Sequence, residues 1–256
     1  MTPRLSYRLW FVQRSGSTLL YRALESTGIA GKPGELFNIP DDQTLCGHHQ
    51  VNDYASLRDK LWQLGSTPNG VFGIKHDLHR WHYQRWFREI ARLQGLEEEA
   101  PLDQHESIWQ DLFPNCKHLY ITRRNKVRLA VSWWKAIQDQ TWHLEAGQSR
   151  EQTDDFYKDR YDFDALLHLF REAVLKEAAM QEYFQANDIV PLTIVYEDFV
   201  CQYEKTICDI IRFLDIRESF SIGPMYYQRT ANEQSEQWVQ RFRRDLQSKM
   251  GGKQVW

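Results

Sequence analysis

Apolar positions along the chain follow two rhythms that alternate. Tyr7 to Val12 is a run of aromatic and β-branched residues that predicts a strand, and Gln13 to Ser17 is a polar turn containing Gly16. From Thr18 to Thr27, Leu19, Leu20, Ala23 and Leu24 recur at helical spacing, and Gly28 stops the helix. The same order returns three times. Val71 to Lys75 reads as a strand, followed by a helix over about 78–94. His118 to Thr122 is followed by a helix from Lys126 to about Asp139, and Val190 to Val195 by one from Glu204 to about Leu214. Asp162 to Gln185 is a long amphipathic helix, and Gln234 to Lys249 a terminal one. Strands alternating with helices predict an α/β fold, a mostly parallel sheet flanked by helices. No internal repeat interrupts the pattern, so one domain over 1–256 is expected. Gly95 to Asp103 and Glu145 to Asp159 are charged and aperiodic and read as surface loops, the second a candidate lid.

Composition narrows the function classes. The chain has 256 residues and a formal net charge of −3, so no global basic field points to nucleic acid and any anion site must be local. Cys46, Cys116, Cys201 and Cys208 form no CxxC pair, which suits free thiols in a reducing compartment. The apolar run Leu9 to Val12 is too brief for a signal peptide, and no stretch approaches the ~18 apolar residues of a membrane span. A cytoplasmic location is expected. His79 and His82 are three apart on a predicted helix, but no third metal ligand accompanies them.

Two segments carry the chemistry. Gln13-Arg14-Ser15-Gly16-Ser17-Thr18 is a glycine turn between a strand and a helix N-terminus. Backbone N–H groups there, with about half a positive charge from the helix dipole, cradle anions. Arg14 adds a permanent charge, and Ser15, Ser17 and Thr18 add hydroxyls. The turn is not a Walker A loop: with Gly16 as the second glycine, Phe11 stands at the first and Ser17 at the lysine. The lysine that reaches β- and γ-phosphates is absent, which argues against ATP or GTP as donor.

The second segment runs from Arg123 to Ser132. Asn125 is a predicted N-cap, and Val127, Ala130, Val131, Trp134 and Ile137 form the apolar stripe of the helix. Ser132 returns to nearly the face of Asn125, so Arg124 at the strand end and Ser132 are expected to converge on one anion. Basic residues at a helix N-terminus oppose its dipole, a conflict that a bound anion removes.

At these two segments the sequence resembles the sulfotransferases. Gln13 to Thr18 is similar to their 5′-phosphosulfate loop. Arg124 to Ser132, Arg-Asn-x-x-x-x-Ala-Val-Ser, is similar to their 3′-phosphate motif. The segment Gly31 to Phe37, Phe72-Gly73-Ile74-Lys75, Tyr196-Glu197-Asp198, and Arg229 ahead of Trp238-Val-Gln-Arg-Phe most resemble the bacterial trehalose sulfotransferase family. Gly34, Thr230 and His76-Asp77-Leu78-His79 depart from that pattern, and the departures bear on the acceptor rather than the donor.

The resemblance implies a three-layer P-loop sulfotransferase fold that moves a sulfuryl group from 3′-phosphoadenosine-5′-phosphosulfate (PAPS) to a hydroxyl of a sugar or other small acceptor. Adenosine 3′,5′-bisphosphate (PAP) is the product, and no metal is needed. It implies Arg14, Ser15, Gly16, Ser17, Thr18 and Leu19 on the 5′ side of the donor. Arg124, Ser132 and Arg229 would hold its 3′-phosphate. Glu35 is the implied general base, with Lys75 holding Glu35 or the transferring group, and a homodimer is implied. His48 and His49 stand as alternative bases. Trp81, Trp133, Trp134 and Trp142 are candidates for an acceptor platform. A P-loop nucleotide kinase and a catalytically silent bisphosphate-binding protein remain the competing readings.

Overall fold

Every residue of β1 (Leu5–Phe11) is buried, as a parallel strand covered on both faces requires. The computed structural model describes residues 2–77, 80–144, 148, 154–226 and 231–250. After β1 come α1 (Ser17–Ser26), α2 (Leu45–His49), α3 (Tyr54–Gly65), β2 (Val71–His76), α4 (Arg80–Leu93) and α5 (His105–Trp109). Then follow β3 (Cys116–Thr122), α6 (Lys126–Asp139), α7 (Asp154–Tyr157) and α8 (Phe163–Ala186). The chain ends with β4 (Leu192–Val195), α9 (Tyr196–Cys201), α10 (Tyr203–Phe213) and α11 (Glu233–Lys249).

The four strands form one parallel sheet in the order β2-β1-β3-β4. Its two faces are set by the period-2 alternation of β1. Leu5, Tyr7, Leu9 and Phe11 pack with Leu20 and Leu24 of α1 and Ile207 and Ile210 of α10. Trp10 and Val12 point the other way, into a cluster with α3, α4, α6 and α8. A third cluster joins α6, α8 and α11 through Val131, Leu166, Trp238 and Phe242. The sheet is thus the middle of three layers, with α1 and α10 on one face and α3, α4, α6 and α8 on the other. The chain moves from β1 outward to β2, then crosses back to place β3 on the other side of β1. Ligands in open α/β sheets bind at such a switch point, beyond the carboxyl ends of the strands.

Boundaries follow local chemistry closely in places. The helix expected from Lys126 to Asp139 has those ends, with the Asn125 side chain accepting from the Arg128 N–H at 3.0 Å. β4 starts at Leu192 instead of Val190, because Pro191 offers no N–H to the ladder. α3 was not foreseen, although Asp53 caps it and Leu57 and Leu61 form its buried stripe. The segment 145–159 contains α7, whose Tyr157 is fully buried against Trp238. Residues 145–147 and 149–153 of the candidate lid lie outside the described residues.

The Trp10 face also holds charge. Arg8, in the middle of β1, is fully buried, pairs with Glu106 and donates to His76 Nε2 at 3.2 Å. Trp10 Nε1 donates to His118 Nδ1 at 3.0 Å. Burial first, then Arg8, push the His118 imidazole down to about 4, against the opposing pull of Glu106.

Candidate active site

The turn after β1 is closed by Ser15 N–H donating to the Val12 carbonyl at 3.1 Å. Gly16, at φ 97°, caps α1 without a side-chain hydrogen bond. The first N–H groups of that helix have no carbonyl one turn back to bond, and they open on a chamber lined by Gly16, Ser17, Thr18 and Leu19. Glycine is required twice over: a Cβ at position 16 would lie 2.4 Å from Tyr196 Cδ2. Arg14 also has a left-handed φ of 66°, while the Ser15 Oγ is buried without a hydrogen-bond partner among the described residues.

This first chamber encloses about 120 Å³ and is lined by four cations, Arg14, Arg123, Arg128 and Lys135, with no carboxylate among its described lining residues. Arg14 Nε donates to Ser132 Oγ at 3.1 Å, which ties the turn to α6. The Arg123 guanidinium lies 5.0 Å from the centre of the Tyr196 ring. Lys135, one turn beyond Ser132, is almost fully buried and donates to Asn232 Oδ1 at 2.8 Å and Ser235 Oγ at 3.1 Å. Those two residues form the capping box of α11, so the chamber is closed by the start of the last helix.

Arg124 is not where its spacing to Ser132 led us to expect. It points away from the chamber, 58% exposed, and pairs through both Nη atoms with Asp198. β3 ends at Thr122 and the chain bends at Arg124 before α6, and there Asp198 takes the Arg124 guanidinium on the outer side. Ser132, in contrast, lines the chamber as expected. Arg229 and Thr230 lie outside the described residues, as do Leu78, His79 and the side chains of Trp81 and His82.

A second chamber of about 400 Å³ adjoins the first. Lys75, at the carboxyl end of β2, reaches Glu35 Oε1 at 2.8 Å and donates to Thr18 Oγ1 at 3.1 Å. The Gly34 carbonyl accepts from the Lys75 N–H at 3.0 Å, which holds the Glu35 segment beside the strand end. Asn38 Nδ2 donates to the other Glu35 oxygen at 3.2 Å. Burial lowers the Lys75 pKa, and Glu35 only partly offsets this. Phe37, Trp86 and Trp142 form aromatic wall, and Gln13, His76 and Asp77 form polar wall.

Arg14, Ser17, Thr18, Trp142 and His143 line both chambers and so form the partition. Arg14 also donates through Nη1 to the Trp142 carbonyl. His143 Nε2 lies 3.4 Å from Thr18 Oγ1. Burial, then Arg14, Lys75 and Arg22, push its imidazole down to about 4, so it is neutral near pH 7. No sequence signal marked His143. Arg123, Arg128 and Lys135 stood within or beside the basic motif, but nothing in their spacing told which of them face inward.

Other expected residues lie elsewhere. His48 is exposed, and His49 contacts the Leu36 carbonyl at 2.9 Å; neither lines a chamber. Trp133 is buried in the core, and Trp134 Nε1 donates to the Arg160 carbonyl at 2.8 Å, which leaves Trp142 as the chamber-lining one among the described side chains of that group. Among the described residues no three His, Cys, Asp or Glu side chains group so as to hold a metal ion, and no helix is long and apolar enough to cross a membrane.

The model of the Stf0 sulphotransferase family matches residues 6–245, which include both chambers. The chain belongs to the Stf0 sulphotransferase family. It is a sulfotransferase. Its relatives include the trehalose 2-sulfotransferases of Mycolicibacterium smegmatis, 24% identical over 94% of this chain and 96% of the relative, and of Mycobacterium tuberculosis, 26% identical over 93% and 94%. A solved sulfotransferase from Alicyclobacillus acidocaldarius shares the fold, with a TM-score of 0.50 at 15% identity over 98% of this chain and 97% of that one. In this sulfotransferase the glycine turn lies at the sheet's switch point, at the carboxyl end of β1.

Proposed function

We propose that this sulfotransferase uses PAPS as donor and an uncharged sugar-like alcohol as acceptor, with Glu35 as general base. The observation that carries the proposal is the shared partition. Arg14, Ser17 and Thr18 stand between a cationic chamber and a chamber containing a carboxylate–lysine pair. The donor's bisphosphate suits the first chamber, where two dispersed phosphates meet Arg14 and the α1 N-terminus at one end. Ser132, Arg123 and Arg128 serve the 3′-phosphate, a role the motif alone would give to Arg124.

The reaction then runs in line across the partition. The acceptor oxygen forms a bond to sulfur as the bond from sulfur to the 5′-phosphate oxygen breaks. The acceptor's proton passes to Glu35, and the electron pair of the broken bond leaves with PAP. Lys75 and Arg14 supply positive charge where the sulfuryl oxygens and the leaving phosphate gather negative charge. The trehalose 2-sulfotransferase relatives support a disaccharide as acceptor.

Calorimetric titration with PAP, with magnesium-ATP as control, followed by transfer of labelled sulfuryl from PAPS to trehalose, tests the proposal. Micromolar PAP binding, little response to ATP, and transfer that Glu35→Gln abolishes are expected. Preference for magnesium-ATP, or PAP binding without transfer to any sugar, would overturn it.

A further inference from the structure

Asp77 lines the second chamber but plays no part in the chemistry just proposed. It follows β2 by one residue, and its side chain is 9% exposed. Oδ2 accepts from Gln13 Nε2 at 2.7 Å and from Lys176 Nζ at 3.3 Å. Lys176 is 7% exposed, donates to Gln13 Oε1 at 3.0 Å and lies 3.7 Å from Glu172. Both of these bonds fall on Oδ2, and Asp77 is part of the chamber wall. A buried carboxylate needs more than one lysine contact, because each oxygen stripped of water must be bonded again.

The chamber thus presents two carboxylates, each in contact with a buried lysine: Glu35 with Lys75, which also lines the chamber, and Asp77 with Lys176 behind it. Each carboxylate is thereby offset by a cation, so neither stands as an isolated charge for a cationic acceptor to match. Phe37 and Trp86 between them offer flat apolar surface. That combination fits a molecule with apolar ring faces and several hydroxyls.

We propose that Asp77 is a specificity residue of the acceptor chamber, binding a second hydroxyl of an uncharged polyol while a first hydroxyl reacts beside Glu35. The inference deepens the sulfotransferase reading above and rests on it for the reacting hydroxyl. Two fixed hydroxyls orient a ring better than one, so Asp77 decides which hydroxyl of a polyol reaches the sulfuryl group. A site built to bond a hydroxyl rejects analogues lacking it, because its own polar group is then left unpaired.

A structural role must be separated from recognition. Gln13 neighbours Arg14, so if Asp77 merely pins the turn, changing it will weaken donor binding. The test is calorimetric titration of trehalose, myo-inositol and the mono-alcohol cyclohexylmethanol into PAP-saturated protein. The variants are Asp77→Asn and the charge-balanced Asp77→Asn/Lys176→Met, with Glu35→Gln beside them. At least one polyol should bind the wild type and the mono-alcohol at least about 10-fold more weakly. Both Asp77 variants should lose about 10- to 100-fold in polyol affinity while PAP affinity stays within about 2-fold. In turnover, the KM for polyol should rise with kcat little changed. Equal binding of the mono-alcohol, unchanged polyol affinity in both variants, a fall in PAP affinity instead, or no polyol binding to the wild type would overturn the inference. Failure of PAP itself to bind would instead sink the donor reading, and polyol binding to the unloaded protein would then test Asp77 by the same variants.

Discussion

Lys75 and Glu35 form an unequal pair: Nζ and Oε1 are 2.8 Å apart, yet the lysine side chain is 5% exposed and the carboxylate 37%. The lysine is held from behind by Thr18 Oγ1, so the pair is anchored on the loop side and open on the acceptor side. Removing the anchor should cost catalysis more than binding. Lys75→Met is expected to lower kcat about 100-fold or more while PAP affinity falls less than about 5-fold, as steady-state kinetics and calorimetry would check.

The same burial sets a pH limit. The folded Lys75 releases its proton at lower pH than an ordinary lysine, because burial disfavours its charge. The charge on Lys75 is therefore present at low and neutral pH, and activity that needs it is lost as pH rises through the lowered pKa. The alkaline limb of the kcat/KM profile should fall below the usual lysine range, and in Lys75→Arg it should move beyond the measurable range. An unchanged limb in the arginine variant would assign it to another group.

Arg123 and Arg124 separate the geometry from the motif. Arg123 lines the cationic chamber, whereas Arg124 is spent on Asp198 at the surface. Arg123→Ala is expected to weaken PAP binding about 10- to 100-fold, and Arg124→Ala less than about 3-fold, because an exposed pair contributes little. A larger loss in Arg124→Ala than in Arg123→Ala would refute the assignment.

At Gly16 the backbone and the neighbour act together. Gly16→Ala would force a side chain into φ 97° and drive its Cβ to 2.4 Å from Tyr196. A loss of about 2–4 kcal/mol in urea unfolding is expected. In a Tyr196→Ala background the steric share should be recovered and the backbone share should persist, so the two changes will not add.

His118, which lines neither chamber, gives an acid-sensitivity test. Its folded pKa is about 4, against about 6.5 unfolded, so it stays neutral in the native protein and accepts from Trp10. Between those values the unfolded chain binds a proton that the native one refuses, and stability falls as pH falls. The loss approaches ~3 kcal/mol once pH reaches about 4. His118→Asn, which keeps an acceptor near Nδ1, should lose less stability than the wild type between pH 7 and pH 4.5 in urea titrations.

The local parts of this protein were legible in its sequence. Helical spacing from Leu19 to Leu24 predicted α1, and Asn125 with its apolar stripe predicted α6, because caps and periodicity act within a few positions. The glycine turn and its lack of a Walker lysine were equally local, since the strand–turn–helix is one continuous segment from Leu5 to Ser26. Tertiary structure alone decided which charges meet. Ser132 lies 118 positions from Arg14, Lys75 lies 57 from Thr18, and Asp77 lies 99 from Lys176. Arg123 and Arg124 are neighbours of one type, and only the packing of Tyr196 and Asp198 against the strand end sends one inward and the other out. His143 belongs to no motif; it became part of the site because the chain after α6 folds back over the turn, where three cations and burial keep its imidazole neutral. Local chemistry writes elements into a sequence, whereas the pairing of distant charges depends on which strand ends the sheet brings together.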